Sequence, residues 1–324
     1  MDIYVKKAII HQFSPDDTDL YLADKFLNIT PKIEEYLRKK IERVYSDEAR
    51  TGIFEEDNLF LEMISDDLLE TSVAIANRWK EEFVVSENQK TNDLVFIQFS
   101  KEGVDHFAFL RIALRETLTH LGGEVDNPIK LTQNNLPGFG TGADEALVIN
   151  LQSRKYHLIE KRIKYNGTFL NYFSENLLQA QPKISPKKSI KALEKTAQKI
   201  AESFNTDDFQ FQSKVKTAIF NHIEEENKLS PEKLADDLFD DNLTARLSFI
   251  DQVKEAVPEP VTFEEIDASR QLKKFENQKL SLSNGIELIV PNNVYEDAES
   301  VEFILNDNGT YSILIKNIED IQSK

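Results

Sequence analysis

Histidine and carboxylate are the residues most able to do acid–base or metal chemistry here. The five histidines are His11, His106, His120, His157 and His222. None stands in an HExxH arrangement, so no zinc-hydrolase motif is formed. His11, His106 and His157 fall on segments with strand character and could converge, although a structural histidine is the stronger default. His222 is followed by Glu224, Glu225 and Glu226. Three successive helical positions span more than half the circumference, which describes an exposed acidic turn better than a ligand set. Asp236, Asp237, Asp240 and Asp241 cluster near Phe239 without the calcium-loop pattern. They read as a solvated face, with a docking surface for a basic partner as the minority reading. There is no cysteine and no GxSxG. Thiol nucleophiles, thiolate zinc and iron–sulfur clusters are therefore excluded. Neither a catalytic centre nor a cofactor is expected.

The stretch Leu136-Pro-Gly-Phe-Gly-Thr-Gly-Ala-Asp144 has the glycine content of a phosphate cradle. Its spacing, Gly138-x-Gly140-x-Gly142, is not GxGxxG, and no Lys-Ser/Thr follows as in a P-loop. A strand follows instead. The expectation is an inter-element loop whose glycines serve turns of unusual φ.

Charge is more informative. The formal net charge of −18 alone argues against nucleic acid, because a phosphate backbone repels an acidic protein. The average hides its distribution. Residues 151–199 hold eleven Lys/Arg and three acids, a net of +8, so the rest carries −26. Residues 186–204 read as a helix within this stretch. At 100° per residue, Lys188, Lys191, Lys195 and Lys199 fall within an arc of about 80°. Ile190, Leu193, Ala197 and Ile200 occupy the opposite side. Arg154, Lys155, Lys161, Arg162 and Lys164 lie upstream. These nine cations are the candidate DNA-phosphate contacts, since each neutralised phosphate releases counterions without reading sequence. The competing reading is an ordinary solvated helix face.

The elements that must position these groups give an α+β fold: an N-terminal antiparallel sheet packed with helices, a helical middle segment and a small β-rich C-terminal portion. Residues 4–12 read as a strand. A helix follows with Thr30 as N-cap and Pro31 at its first position. Ile33, Tyr36, Leu37, Ile41, Val44 and Tyr45 recur at helical spacing, with Lys39, Lys40 and Glu42 expected to face out and Gly52 in the loop beyond. A second helix over 66–83 would turn Leu69, Val73, Ala76, Trp79 and Phe83 inward. Strands at 94–100 and 106–112 form a hairpin through Gly103. Strands at 146–151 and 156–163 extend the sheet, and an aromatic helix over 167–178 closes a domain of residues 1–180. Pro182 and Pro186 introduce a helical segment, 181–257, with helices at 186–204, 209–226, 231–239 and 243–256. The last two are spaced like a helix-turn-helix, but the net charge of −8 over 201–260 disfavours DNA reading by that unit. Pro258-Glu259-Pro260 opens a β-rich domain, 258–324, with strands at 280–282, 286–290, 301–306 and 311–316. Asp307-Asn308-Gly309 is a hairpin signal between the last two.

No apolar run approaches the length of a membrane span. MDIYVKKAIIHQF lacks the apolar core and cleavage site of a signal peptide. A cytoplasmic location is expected, with no membrane partner.

The order of segments resembles the 37-kDa nucleoid-associated protein family of bacteria (YejK/NdpA-like). The similarity lies in IIHQF (residues 9–13), ERVYSD (42–47), Thr51-Gly-Ile-Phe54, VFIQFS (95–100), LPGFGTGADEALVINL (136–151), YHLIEKRIKYNG (156–167) and NGTYSILIKNI (308–318). The resemblance implies a protein of the cytoplasmic nucleoid that binds double-stranded DNA with little sequence specificity. It also implies association with type II topoisomerases and self-association, for which a homodimer would double the basic surface. It supplies no catalytic residues. Two alternatives stand beside it. One is an adaptor that engages a DNA enzyme such as a type II topoisomerase through acidic surfaces, without direct DNA binding. The other is a hydrolase or nuclease of converging acids and histidines, which no spacing supports.

Overall fold

A twelve-residue strand, β1 (Ile3–Ser14), opens the computed structural model and carries apolar side chains on both its faces. The structure describes residues 2–16, 18–85, 90–120, 129–165, 167–205, 208–263 and 265–322. Two compact units divide the chain, Met1–Ser185 and Pro186–Lys324.

In the first unit β1 is followed by β2 (Asp19–Tyr21), α1 (Pro31–Glu42), β3 (Arg50–Ile53), α2 (Leu59–Glu62) and α3 (Leu68–Phe83). Next come β4 (Asn92–Lys101), β5 (Val104–Ala113), β6 (Arg115–His120), β7 (Ile129–Asn135), β8 (Glu145–Asn150) and β9 (Lys155–Ile159). A short hairpin, β10 (Ile163–Tyr165) and β11 (Thr168–Leu170), precedes a five-residue π-helical turn, Phe173–Leu177. Seven strands form one antiparallel sheet in the order β2-β1-β4-β5-β8-β9-β3. The β4–β5 turn has φ of 52° at Glu102 and 82° at Gly103. That pair of positive angles matches the right-handed twist of the flanking strands.

Both faces of the sheet are covered. Ile9, Phe13, Phe96 and Phe109 pack with Ile75, Trp79 and Phe83 of α3. Val5, Ala8, Val95, Ile97 and Leu110 pack with Leu37 and Ile41 of α1. Burial from both sides explains why β4 and β5 read as near-continuous apolar runs instead of alternating ones. The helices begin where their caps dictate. Thr30 Oγ1 accepts from Ile33 N–H, and Asp67 Oδ1 accepts from Leu69 N–H at 2.8 Å.

An ionic network crosses this core. Arg111 Nε donates to Glu145 Oε2 at 2.7 Å and Nη1 to Asn92 Oδ1 at 2.9 Å. Trp79 Nε1 donates to the Tyr172 hydroxyl at 3.0 Å, and Tyr172 donates to Glu145. All five residues are buried. The carboxylate is engaged through Oε2 alone, since buried Glu145 Oε1 has no hydrogen-bond partner among the described residues.

The second unit begins with α4 (Pro186–Ser203) and α5 (Phe209–Glu226), then β12 (Lys228–Leu229), α6 (Pro231–Leu238), α7 (Leu243–Ala256) and β13 (Val261–Thr262). It continues through α8 (Ser269–Phe275), β14 (Asn277–Ser281), β15 (Glu287–Pro291), α9 (Asn292–Tyr295), β16 (Val301–Leu305) and β17 (Tyr311–Ile315). The five long helices share a core that includes Leu193, Ile200, Ile219, Leu234, Phe249 and Phe275. Buried Gln278 of β14 ties the first C-terminal hairpin to α5, donating to Ser213 O and Thr217 Oγ1 at 3.2 Å each.

Three local expectations are corrected. Residues 167–178 do not form one helix: Gly167, at φ 82°, turns the chain back into β11, and only a π-helical turn follows. Gly52 lies in β3 opposite Tyr156, not in a loop. A Cβ there would stand 2.3 Å from the Tyr156 hydroxyl, so glycine is what admits the ring. Lys40 is fully buried instead of facing out.

Candidate nucleic-acid interface

Helix α4 sorts its residues by polarity. Ile190, Leu193, Ala197 and Ile200 are buried, while Lys188, Lys191, Lys195 and Lys199 are exposed. The 3.6-residue repeat places the two sets on opposite faces. Lys199 Nζ donates to Gln252 Oε1 of α7 at 2.9 Å. Lys188, Lys191 and Lys195 have no hydrogen bond or ion pair among the described residues. Glu194, on the same helix, is held by Lys274 at 3.1 Å, while Glu202 is exposed on the lysine face at the end of the helix and accepts from Gln198.

The five upstream cations belong to the first unit and do not form one patch. Arg154 and Lys155 stand at the β8–β9 turn, with Arg154 at φ 60° and paired to Glu56 at 3.0 Å. Lys161, Arg162 and Lys164 lie beyond the other end of β9. Lys161 pairs with Asp144 at 2.9 Å, and Arg162 Nη2 donates to Phe169 O at 2.8 Å. Lys164 is exposed on β10. Glu160, one of the acids of this basic stretch, is turned inward against Arg50 and Ser174.

The other candidates resolve into structure. His11 accepts from Ala23 N–H at Nδ1 (3.0 Å) and bonds Ser72 Oγ through Nε2 (2.9 Å). Ser72 itself donates to Leu69 O, so Nε2 carries the proton. Burial pushes the His11 pKa down to about 4. His157 packs on Tyr45 and His106 on Phe99, on the α1 side of the sheet, while His11 faces α3. The three histidines therefore do not converge. The acidic cluster is largely paired: Asp236 with Arg246, Asp237 with His222 and Asp240 with Lys214, at 2.7–3.0 Å. Among the described residues no group of three or more His, Asp or Glu could hold a metal ion, and no helix is long and apolar enough to cross a membrane.

One arrangement was hidden from sequence reasoning. The Lys40 ammonium sits under the glycine loop and donates to Pro137 O (3.4 Å), Gly138 O (2.9 Å) and Thr141 O (2.5 Å). Its Nζ lies 4.3 Å from the centre of the Tyr36 ring, whose hydroxyl also donates to Pro137 O. Burial, and then the like charges of Arg43 and Arg115, push the Lys40 pKa down to about 8. The signal was spacing: Ile33, Leu37, Lys40 and Val44 follow the 4-3-4 pattern of a buried stripe, and residue type alone suggested otherwise.

These features define an α+β protein with a doubly covered antiparallel sheet in one unit and an exposed lysine helix in the other. The chain matches the family described as nucleoid-associated protein YejK over residues 9–321, and it belongs to that family. No curated protein matches it. The family's description associates its members with the nucleoid and names no reaction.

Proposed function

We propose that this protein binds double-stranded DNA in the bacterial nucleoid with little sequence specificity, through phosphate contacts of the basic 151–199 region. The observation that carries the reading is the α4 stripe: four exposed lysines on one face, three of them without partners among the described residues. From Lys188 to Lys199 the helix rises about 16 Å, the axial length of about five phosphates of one DNA strand. Such a row neutralises phosphates and releases counterions, but carries no group directed at base edges. Arg154, Lys155, Lys161, Arg162 and Lys164 add contacts of the same kind. Arg154 and Lys161 must exchange Glu56 and Asp144 for phosphate, so they contribute less than the stripe.

The net charge of −18 sets the character of the binding. Repulsion by the acidic body lowers the overall affinity, so binding rests on the short-range phosphate contacts, whose counterion release sets the salt dependence, and remains modest. The same acidity favours a second reading, in which the protein docks on a type II topoisomerase and meets DNA indirectly. Reversing all four stripe lysines to Glu separates the two. Direct binding predicts loss of affinity for a random-sequence duplex with an unchanged melting temperature; unchanged affinity rejects the stripe as the site.

A further inference from the structure

The three glycines between Pro137 and Asp144 are not required by the fold's own packing. A Cβ at Gly138 or Gly140 would meet nothing within 4 Å, and one at Gly142 would meet only Arg43 Cδ at 3.8 Å. None of the three has a positive φ. What surrounds them is positive charge and unused main-chain donors.

In a planar trans peptide a carbonyl and the next residue's N–H point in opposite directions. The carbonyls of Pro137, Gly138 and Thr141 are turned onto the buried Lys40 ammonium. The N–H groups of Gly138, Phe139 and Gly142 are therefore turned away from it. None of them has an acceptor among the described residues. Gly138 and Phe139 are exposed and Gly142 is half-buried. Lys40 thus holds the loop with its donors outward and places an ammonium directly behind them.

Two further cations, Arg43 and Arg115, flank the loop. Arg43 lies across Gly142. Arg115 lines an open groove of about 710 Å³ with Lys90, Gln133 and Asn134 at the end of the loop, where the acids Glu116, bonded by Gln133, and Asp144 also stand. Neither guanidinium has a carboxylate partner among the described residues. Lys39 sits over the Phe139 ring at 5.4 Å while paired to Glu35. Asp144, at the loop's end, is engaged by Lys161 and by the Ala113 N–H. Arg43 and Arg115 are like charges near Lys40 and disfavour its charged form, and an arriving anion relieves that cost.

We propose that the outer face of residues 138–142, with Arg43 and Arg115, is a phosphate-binding surface for the sugar–phosphate backbone of a nucleic acid. The three donors fan out from the ammonium instead of converging. They suit successive phosphates along a strand better than one enclosed anion. This inference rests on the reading that the protein binds DNA, and it adds a contact in the first unit that is independent of α4.

The test is amide NMR of the full chain, with a random-sequence duplex in one titration and inorganic phosphate in the other. Fluorescence anisotropy on the Arg43→Gln, Arg115→Gln double variant accompanies it. The expected result is that the duplex shifts the amides of Gly138, Phe139 and Gly142 while millimolar phosphate does not. The variant should bind the duplex with a log–log salt slope shallower by about 1.8, and the Arg-to-Lys pair should restore the slope. Equal shifts with inorganic phosphate would overturn the backbone assignment in favour of a free anion. Duplex binding with unmoved loop amides and an unchanged slope would overturn the surface while leaving the α4 reading standing. A wild-type protein that binds no duplex at low salt would remove both.

Discussion

The cations of the first unit and those of α4 meet opposite fates. Lys40 and Arg111 are buried, and their donors are spent on fixed acceptors: loop carbonyls for one, Glu145 and Asn92 for the other. Lys188, Lys191 and Lys195 are exposed, with no partner among the described residues. Both α1 and α4 are amphipathic helices that carry several lysines: Lys32, Lys39 and Lys40 on α1, and Lys188, Lys191, Lys195 and Lys199 among those of α4. The difference lies in what faces them. A loop of unpaired carbonyls can replace the hydration of an ammonium, and where no such acceptors exist the charge stays in water. A lysine's place on a helix is therefore decided by its acceptors, and a lysine without acceptors is the one available to a phosphate.

The contrast can be tested at three levels. Replacing Glu145 with Leu strands the Arg111 guanidinium in the core and should cost about 3–5 kcal/mol in denaturant unfolding. A cost below 1 kcal/mol would mean the network is not buried as described. His11 supplies the next effect. Its folded pKa of about 4 lies below the ordinary 6.5, so between those values the unfolded chain binds more protons. The associated stability is full above pH 6.5 and lost as pH falls toward 4, a change of about 3 kcal/mol. Protonation would also place a second N–H against that of Ala23. In His11→Asn this part of the acid sensitivity should vanish when unfolding is compared at pH 7 and 4.5; an unaltered pH dependence would contradict the assignment. The smallest effect is a direct comparison of lysines. Lys40→Met should lose about 2 kcal/mol, because three carbonyls lose a charged donor. Lys191→Met should stay within about 0.5 kcal/mol of wild type. Equal losses would erase the distinction between the two classes.

Much of the fold was legible because local signals agreed with tertiary structure. Thr30-Pro31 starts α1, Gly103 closes the β4–β5 hairpin, and α5 and α7 fall at the expected residues, 209–226 and 243–256, each after a side-chain cap, Asp208 and Asn242. The α+β arrangement follows from these. The β6–β7 ribbon escaped notice. Leu118 pairs with Leu131 and His120 with Ile129, yet all four are exposed, so no buried face imposes a readable alternation. The Arg111–Glu145 pair lies 34 residues apart in sequence, and no local pattern announces it. At the interface, the two faces of α4 were readable from the helical repeat. The roles of Lys40, Arg43 and Arg115 were not, because they depend on a loop about a hundred residues beyond α1.

Whether the α4 lysines track phosphates is decided by the salt dependence of binding to a random-sequence duplex. Wild type is compared with the variant carrying Gln at 188, 191, 195 and 199. Phosphate tracking gives a steep, sequence-independent loss of affinity with salt for wild type, and a slope shallower by about 3.6 for the variant. Equal slopes for the two proteins would contradict it.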